Sequence, residues 1–485
     1  LPAPALVLRG VTKVYSGGVR AVDGVDLELG AGEIHALCGE NGAGKSTLAQ
    51  IASGNLAPTA GSVIGAERVG LVHQHFELVL RLRVWENVLL GREPRRGLTI
   101  DAGAARERVR ELAAAHGLDV DPDAVVETLP VGIAQRVEIL RELARDPRVL
   151  VLDEPTAVLS PPEIDALFAT LRSLASNGTA ILVITHKLQE VVSHAQRVTV
   201  MRAGRVVLRT LTGDTSIAAI AKAMVGGELP ALAARTPRAT TAGFVARDLA
   251  AGEGAHALRS ASFEVRGGEI VGIAGVEGNG QSALTDAVAG VLPYSGDMTL
   301  GGATLAGENA EARIAAGIRT IPQDRQTEAL VLSWSICDNV ALGDQTRGPM
   351  RAGATLDRAA MRTLATQIVE RFDVRTPSIQ TPVRALSGGN QQKVVVGRAL
   401  AHDPVLVVAY QPTRGIDVGA AALVQSRLIE ARNAGSAVLL VSFELDEVLA
   451  LADRILVLFR GAIVGAFERA DFDRARIGAL MAGAA

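Results

Sequence analysis

Residues Gly39 to Thr47 read GENGAGKST and set Gly39, Gly44, Lys45 and Ser46 on the fixed positions of G-x-x-x-x-G-K-[S/T]. Gly39, Gly42 and Gly44 let the backbone curl, so that the N–H groups of Glu40, Asn41, Gly42, Ala43 and their neighbours through Thr47 face one concavity suited to phosphate oxygens. In this pattern Lys45 reaches the β- and γ-phosphates and the Ser46 hydroxyl ligates magnesium. A second chemical stretch, VLVLDEP at Val149 to Pro155, ends an apolar run in two acids. Asp153 can hold magnesium, directly or through water, and Glu154 can take a proton from an attacking water. Three further side chains can join them. Gln74, in VGLVHQHF, can contact magnesium or the water. His186, after the apolar run Ala180 to Ile184, can hydrogen-bond a γ-phosphate. Tyr15, 30 residues before Lys45, can stack on an adenine ring. Taken singly, a loop glutamine, a structural histidine and a half-buried strand tyrosine explain these three as well. The chemistry of the set is magnesium-dependent hydrolysis of a nucleoside triphosphate, with ATP and Mg²⁺ as expected ligands.

Such residues need a strand–loop–helix frame. The apolar run Ile34 to Leu37 precedes the glycine loop as a buried strand would, and a helix-like stretch, Leu48 to Ala52, follows and stops near Gly54. Val149 to Leu152 and Ala180 to Ile184 read as parallel strands buried on both faces. Their acids and histidine fall at the carboxyl ends, where open α/β sheets hold ligands. Leu6 to Arg9 and Val11 to Tyr15 read as strand, and Ala102 to His116 as helix. His73 and His75 lack a third ligand at a recognisable spacing and read as loop packing.

With 485 residues the chain is too long for one core and suits two domains. A net charge of −3 argues against binding driven by phosphate neutralisation, so no nucleic-acid partner is expected. Cys38 and Cys337 stand far apart and form no disulfide framework, so free buried thiols in a reducing compartment are expected. No apolar run approaches the roughly 20 residues that span a bilayer. No signal peptide is visible at the start, and the beginning at Leu1 leaves the true N-terminus open.

Self-comparison reveals a duplication. GVEGNGQS at Gly275 to Ser282 aligns with Gly39 to Ser46 at an offset of 236, and Ile321-Pro322-Gln323 aligns with Val72-His73-Gln74 at 249. LSGGNQQKV at Leu386 to Val394 aligns with LPVGIAQRV at Leu129 to Val137 at 257, and the same offset sets Pro412-Thr413 on Pro155-Thr156. The copies are unequal. Gln281 replaces the loop lysine, Tyr410 and Gln411 replace Asp153 and Glu154, and Phe443 replaces His186. Conversely, Pro130 and Ala134 stand where the second copy has Ser387 and Gln391. The reading is 1–228 and 243–485 as domains, joined by a linker at 229–242 with Pro230 and Pro237 and no clear periodicity.

LSGGNQQK at Leu386 to Lys393, together with the glycine loop and DEPT, resembles the signature set of the ATP-binding cassette family, and the resemblance covers nearly the whole chain. It implies an α/β fold of two tandem cassette-type nucleotide-binding domains. Each is a P-loop, RecA-like mixed sheet with an antiparallel β subdomain and a helical signature subdomain. It further implies halves that close face to face, with Ser387, Gly388, Gly389 and Asn390 meeting the nucleotide held by the first loop. On that pairing one site keeps every hydrolytic part and the other keeps almost none. A fused pair of this kind resembles the ATPase subunit of bacterial simple-sugar and nucleoside importers. VHQHF, GVEGNGQS and QPTRGIDVGA lean to nucleosides; ribose or galactose is the alternative. The implied partners are two integral-membrane permeases, docking near Gln74, Gln323, Trp85 to Val88 and Cys337 to Val340, and an extracytoplasmic binding protein. The implied location is the cytoplasmic face of the bacterial membrane, as a peripheral subunit. Core packing is expected for Trp85 and Trp334. The competing class is a soluble tandem-cassette translation factor on ribosomes, which typically carries a long charged linker and two competent sites.

Overall fold

The computed structural model describes residues 4–65, 68–73, 77–156, 159, 161–227, 232–236, 242–305, 309–345, 350–353 and 355–483. The chain divides into two units, Leu1–Leu229 and Pro230–Ala485.

In the first unit, strands Ile34–Gly39 and Ala180–Ile184 are buried along their whole length, which accounts for their apolar sequence, broken only by His35, whose Nε2 lies 2.8 Å from Thr199 Oγ1. They sit inside a six-stranded sheet in the order Arg205–Leu211, Arg197–Arg202, Ile34–Gly39, Ala180–Ile184, Val149–Asp153, Val69–Val72. Every pairing is parallel except the outer hairpin. Parallel register brings Gly39, Asp153 and Ile184 to one edge, so the chemical residues that follow them converge there. A second sheet is antiparallel, with Pro4–Val14 between Arg20–Gly30 and Ala60–Ile64. Pro4–Val14 is one strand rather than two: Gly10, at φ +56°, absorbs a register shift without ending it. Leu6, Leu8 and Leu27 of this sheet share a core with Leu37, Leu48 and Leu182. Helix Lys45–Ala52 begins three residues earlier than the Leu48 its apolar pattern suggests, because the glycine loop leads straight into its first turn. Helices Val84–Val88, Ala102–His116 and Val131–Leu143 pack together as a separate helical part. The Asp101 carboxylate caps the second of these, accepting from the Ala104 N–H at 3.0 Å, and Gly117, at φ +64°, ends it.

The second unit repeats the plan in one ten-stranded sheet. Its parallel centre runs Arg454–Phe459, Ile270–Ala274, Ala437–Ser442, Leu406–Tyr410, Ile318–Ile321. Neighbouring residues serve opposite cores. Ile270, Val407 and Val438 pack on the helical side, while Val271, Val408 and Leu439 pack against the antiparallel strands. The connection from Tyr294–Leu300 to Ile318–Ile321 carries an extra helix, Ala310–Ala315, which accounts for the offset rising from 236 to 249.

Within the expected linker, residues 232–236 are fastened to the second unit. Arg235 pairs with Asp453, and the Ala234 and Thr236 carbonyls accept from Asn433 Nδ2 at 2.8 Å and Arg432 Nη1 at 2.7 Å. Pro230 and Pro237 lie outside the described residues. Cys38 and Cys337 are free and buried. Trp85 is buried beneath the Arg106 guanidinium, 5.6 Å from its ring centre. Trp334 corrects the core expectation: it is 47% exposed, on the turn before helix Ile336–Asn339, where its backbone carbonyl accepts from Val383 N at 3.0 Å. No described helix is long and apolar enough to cross a membrane.

Candidate active site

The glycine loop joins Ile34–Gly39 to Lys45–Ala52. Gly44, at φ +97°, lies in the left-handed region, and a Cβ there would stand 2.2 Å from the Ala21 carbonyl oxygen. A Cβ on Gly39 would stand 2.4 Å from the Met201 carbonyl oxygen. Both positions therefore require glycine on grounds of space. Gly42 differs from them. It is left-handed, at φ +81°, but a Cβ on it would meet nothing within 4 Å, so its glycine serves the curl of the loop and not a close approach. The open space beside Gly42 is on the loop's surface, where Asn41 is also exposed. Lys45 is only 6% exposed, and its ammonium donates to the carbonyls of Gly39 at 2.9 Å and Glu40 at 3.0 Å. Burial pushes that ammonium below the ordinary lysine value, against the pull of Glu154 and Asp153. A buried cation held by backbone carbonyls, beside a glycine cradle at a helix start, fits an incoming polyphosphate. Tyr15 is 40% exposed, with its hydroxyl 3.4 Å from Thr47 Oγ1, so its ring stands beside the loop.

Asp153 ends strand Val149–Asp153 and accepts a hydrogen bond from Ser46. Burial chiefly pushes its carboxyl up, with the Glu154 charge adding to that and the Ser46 bond opposing it. Glu154 follows at φ +48°, a left-handed turn pinned by its N–H donating to the Ile184 carbonyl at 2.9 Å. Burial works to raise Glu154 too. The His186 hydrogen bond and the charges of His186, Lys45 and Lys187 outweigh that and hold it below the ordinary carboxylate value. His186 Nδ1 lies 3.0 Å from Glu154 Oε1 and donates to it when it carries the proton. Adjacent carboxylates are thus pushed in opposite directions, with Glu154 kept ionised as a base requires. Among the described residues no three His, Cys, Asp or Glu side chains cluster as a metal site. A hydroxyl and one carboxylate are nonetheless a fit for Mg²⁺, which takes few protein ligands and fills its shell with phosphate oxygens and water. Gln74 and His75 lie outside the described residues.

The second unit keeps the backbone and changes the chemistry. Gly280, at φ +99°, caps helix Gln281–Ala289 as Gly44 caps its own. Gly278, at φ +92°, likewise stands for Gly42, but the His256 ring fills the space beside it: a Cβ there would lie 2.9 Å from Nδ1. Gln281, 1% exposed, turns back on the loop. Its Oε1 accepts from the Asn279 N–H at 2.9 Å and its Nε2 donates to the Val276 carbonyl at 2.9 Å. A loop donor that could face phosphate is thereby satisfied internally. Gln411 occupies the same turn as Glu154, at φ +51°, with its N–H donating to the Val441 carbonyl at 2.8 Å. The Tyr410 and Phe443 rings pack edge to face at 6.0 Å where the first unit has Asp153 and His186.

The signature turns also differ. Ser387 caps helix Gly388–Ala399, its hydroxyl oxygen accepting from the Asn390 backbone N–H at 3.5 Å and also from Asn390 Nδ2 at 2.9 Å. A Cβ on Gly388 would stand 2.5 Å from Arg325 Nη2, and one on Gly389 2.9 Å from Asp417 Oδ2, so both sites are close fits for bare backbone. Pro130 caps helix Val131–Leu143 with no side-chain bond. Both helices are tied to the acidic turn or its counterpart. Gln135 Nε2 donates to the Pro155 carbonyl and Gln392 Nε2 to the Pro412 carbonyl.

Sequence reasoning missed Gln135, Lys187 and Glu190 around that turn. Glu190 Oε2 accepts from the Thr156 hydroxyl at 2.8 Å, and Glu447 Oε1 accepts from Thr413 at 2.8 Å. The 257-residue offset that aligns Thr413 with Thr156 also aligns Glu447 with Glu190, a signal present in the sequence.

The family model described as ABC transporter matches residues 22–157 and 258–414. The nucleoside import ATP-binding protein NupA of Lactococcus lactis is 39% identical over 491 residues, covering 98% of this chain and 97% of that relative. The ribose import ATP-binding protein RbsA 3 of Rubrobacter xylanophilus is 41% identical over 497 residues, covering 99% of each. A crystal structure of an archaeal ribosome recycling factor with a ribosomal stalk protein covers 92% of this chain and 87% of that chain. Its TM-score is 0.63 at 18% identity, a likeness of fold alone.

Proposed function

The chain belongs to the ABC transporter family, and we propose that it is the ATP-hydrolysing subunit of an importer of nucleosides or simple sugars, with nucleosides the first reading. The observation that carries the enzymatic part is the convergence of Lys45, Ser46, Asp153 and the Glu154–His186 pair at one sheet edge. Near full-length identity with import ATP-binding proteins supports the transport part, while the ribosomal protein shares only the fold. The strings at Val72 to Phe76, Gly275 to Ser282 and Gln411 to Ala420 favour nucleosides; the ribose relative, at 41% identity against 39% for the nucleoside relative, keeps sugars as the second reading.

Lys45 exchanges its bonds to the Gly39 and Glu40 carbonyls for the β- and γ-phosphate oxygens. The loop N–H groups from Glu40 through Gly42 to Thr47 and the helix start hold the rest of the triphosphate. Ser46 and Asp153 hold Mg²⁺, which supplies charge neutralisation when bound. Glu154 takes the proton of the attacking water, and His186 orients that carboxylate through Nδ1 and, when both ring nitrogens carry protons, donates from Nε2 to a phosphate oxygen. Gln74 joins this set, Tyr15 and Thr47 face the nucleoside end, and Ser387 to Asn390 of the second unit are nucleotide-binding residues as well. The second unit's loop, with Gln281 turned inward, does not hydrolyse. Two membrane permeases and an extracytoplasmic binding protein are the proposed partners, with the chain peripheral on the cytoplasmic face.

Uptake of labelled guanosine and ribose is the test, in cells of the source organism deleted for this chain and restored with wild type or Glu154→Gln. Guanosine uptake is expected to return with wild type only. Loss and return of ribose alone moves the chain to the sugar reading, and unchanged uptake of both removes the importer.

A further inference from the structure

Lys187 follows His186 and reaches back to the acidic turn. Its Nζ donates to the Thr156 carbonyl at 2.9 Å and lies 3.9 Å from Glu190 Oε1. Glu190 holds the same threonine by its hydroxyl, at 2.8 Å. Thr156 is 1% exposed and stands two residues after Glu154. The start of helix Leu188–His194 therefore grips the carbonyl and the hydroxyl of Thr156.

The duplicated unit serves as an internal control. Thr413 and Glu447 keep the hydroxyl–carboxylate bond at 2.8 Å, but Glu444 stands at the position of Lys187. The local turn is unchanged. The Lys187 N–H donates to Thr185 Oγ1 at 3.0 Å and the Glu444 N–H to Ser442 Oγ at 3.1 Å. A carboxylate cannot donate to the Thr413 carbonyl. The fold is thus built without the lysine, which occurs in the unit that carries Glu154 and His186 and is absent from the unit that carries Gln411 and Phe443.

We propose that Lys187 is a positioning residue for hydrolysis: by tying the Thr156 carbonyl to the start of helix Leu188–His194 it holds the Glu154 side chain in register with His186. The inference rests on the reading of the first unit as the hydrolytic one.

Phosphate release and ATP affinity of the full chain, measured for Lys187→Met, Lys187→Glu, Lys187→Arg and Glu154→Gln, test it. Lys187→Met and Lys187→Glu are expected to lower kcat by about 10- to 100-fold, the scale of a small misplacement of a catalytic group. The ATP KM should stay within about threefold, because the phosphate cradle is untouched. Lys187→Arg, which can donate to the same carbonyl, should restore most of kcat. Folding of Lys187→Glu is expected to survive, since the second unit carries that residue. Unchanged kcat in Lys187→Met overturns the inference, as does loss of kcat and ATP affinity together without rescue by arginine. If Glu154→Gln hydrolyses ATP normally, the premise falls and the inference with it. If Glu154→Gln is inactive and Lys187→Met is normal, this inference alone falls.

Discussion

Glu154→Gln lowers the rate of ATP hydrolysis by about 10²–10⁴-fold, the usual contribution of a positioned general base, and leaves ATP binding in place. The substitution removes the proton acceptor and little else. A carboxamide at this position is compatible with the fold, because the second unit carries Gln411 on the same turn, at φ +51° against +48° for Glu154. Each residue also donates its N–H to the neighbouring strand, at 2.8 Å and 2.9 Å. The phosphate cradle and Lys45 are untouched, so nucleotide affinity should match wild type. Steady-state phosphate release with equilibrium nucleotide titration checks both halves. Wild-type turnover in the variant would remove Glu154 from the mechanism.

Lys45→Gln is expected to weaken ATP binding by about 10- to 100-fold, from the loss of a charged hydrogen bond of about 1.5–3 kcal/mol. The second unit shows what the glutamine would do. Gln281 stays buried in its loop and ties up the Asn279 N–H and the Val276 carbonyl. The variant should therefore lose the phosphate cation and also satisfy a loop donor internally. Thermal stability should hold, because Lys45 is buried with its charged form disfavoured and a neutral side chain relieves that cost. Titration calorimetry with a thermal melt separates the effects. A variant that binds ATP normally would show that Lys45 does not meet the phosphates, and one that melts much lower would make the lysine structural.

Chemistry that is local in the chain was legible before the fold was known. The glycine loop is a contiguous pattern whose left-handed and crowded positions admit glycine. The structure places Gly39 and Gly44 under crowding and leaves Gly42 with the left-handed backbone alone, a distinction the string GENGAGKST does not carry. DEPT reads as a strand end because Val149 to Leu152 is buried on both sides. The duplication was legible as a constant order of motifs, and the jump in offset marked the helix Ala310–Ala315. Contacts that depend on strand adjacency were not legible. Lys187 meets the Thr156 carbonyl only because strands Val149–Asp153 and Ala180–Ile184 lie side by side in parallel register. The inward turn of Gln281 depends on rotamer and loop geometry that the substitution alone does not state. Trp334 was misjudged because large apolar side chains are usually buried, a tendency that does not bind any one residue.

A duplicated chain with Glu154 in one unit and Gln411 in the other should hydrolyse ATP in the first unit alone. Phosphate release from the assembled importer carrying Gln411→Asn, run beside Glu154→Gln, tests it most directly. Asparagine tolerates the left-handed turn, so the comparison reports chemistry rather than backbone strain. The rate is expected to stay within about twofold of wild type for Gln411→Asn and to fall by at least about 10²-fold for Glu154→Gln. Comparable losses in the two variants would contradict it.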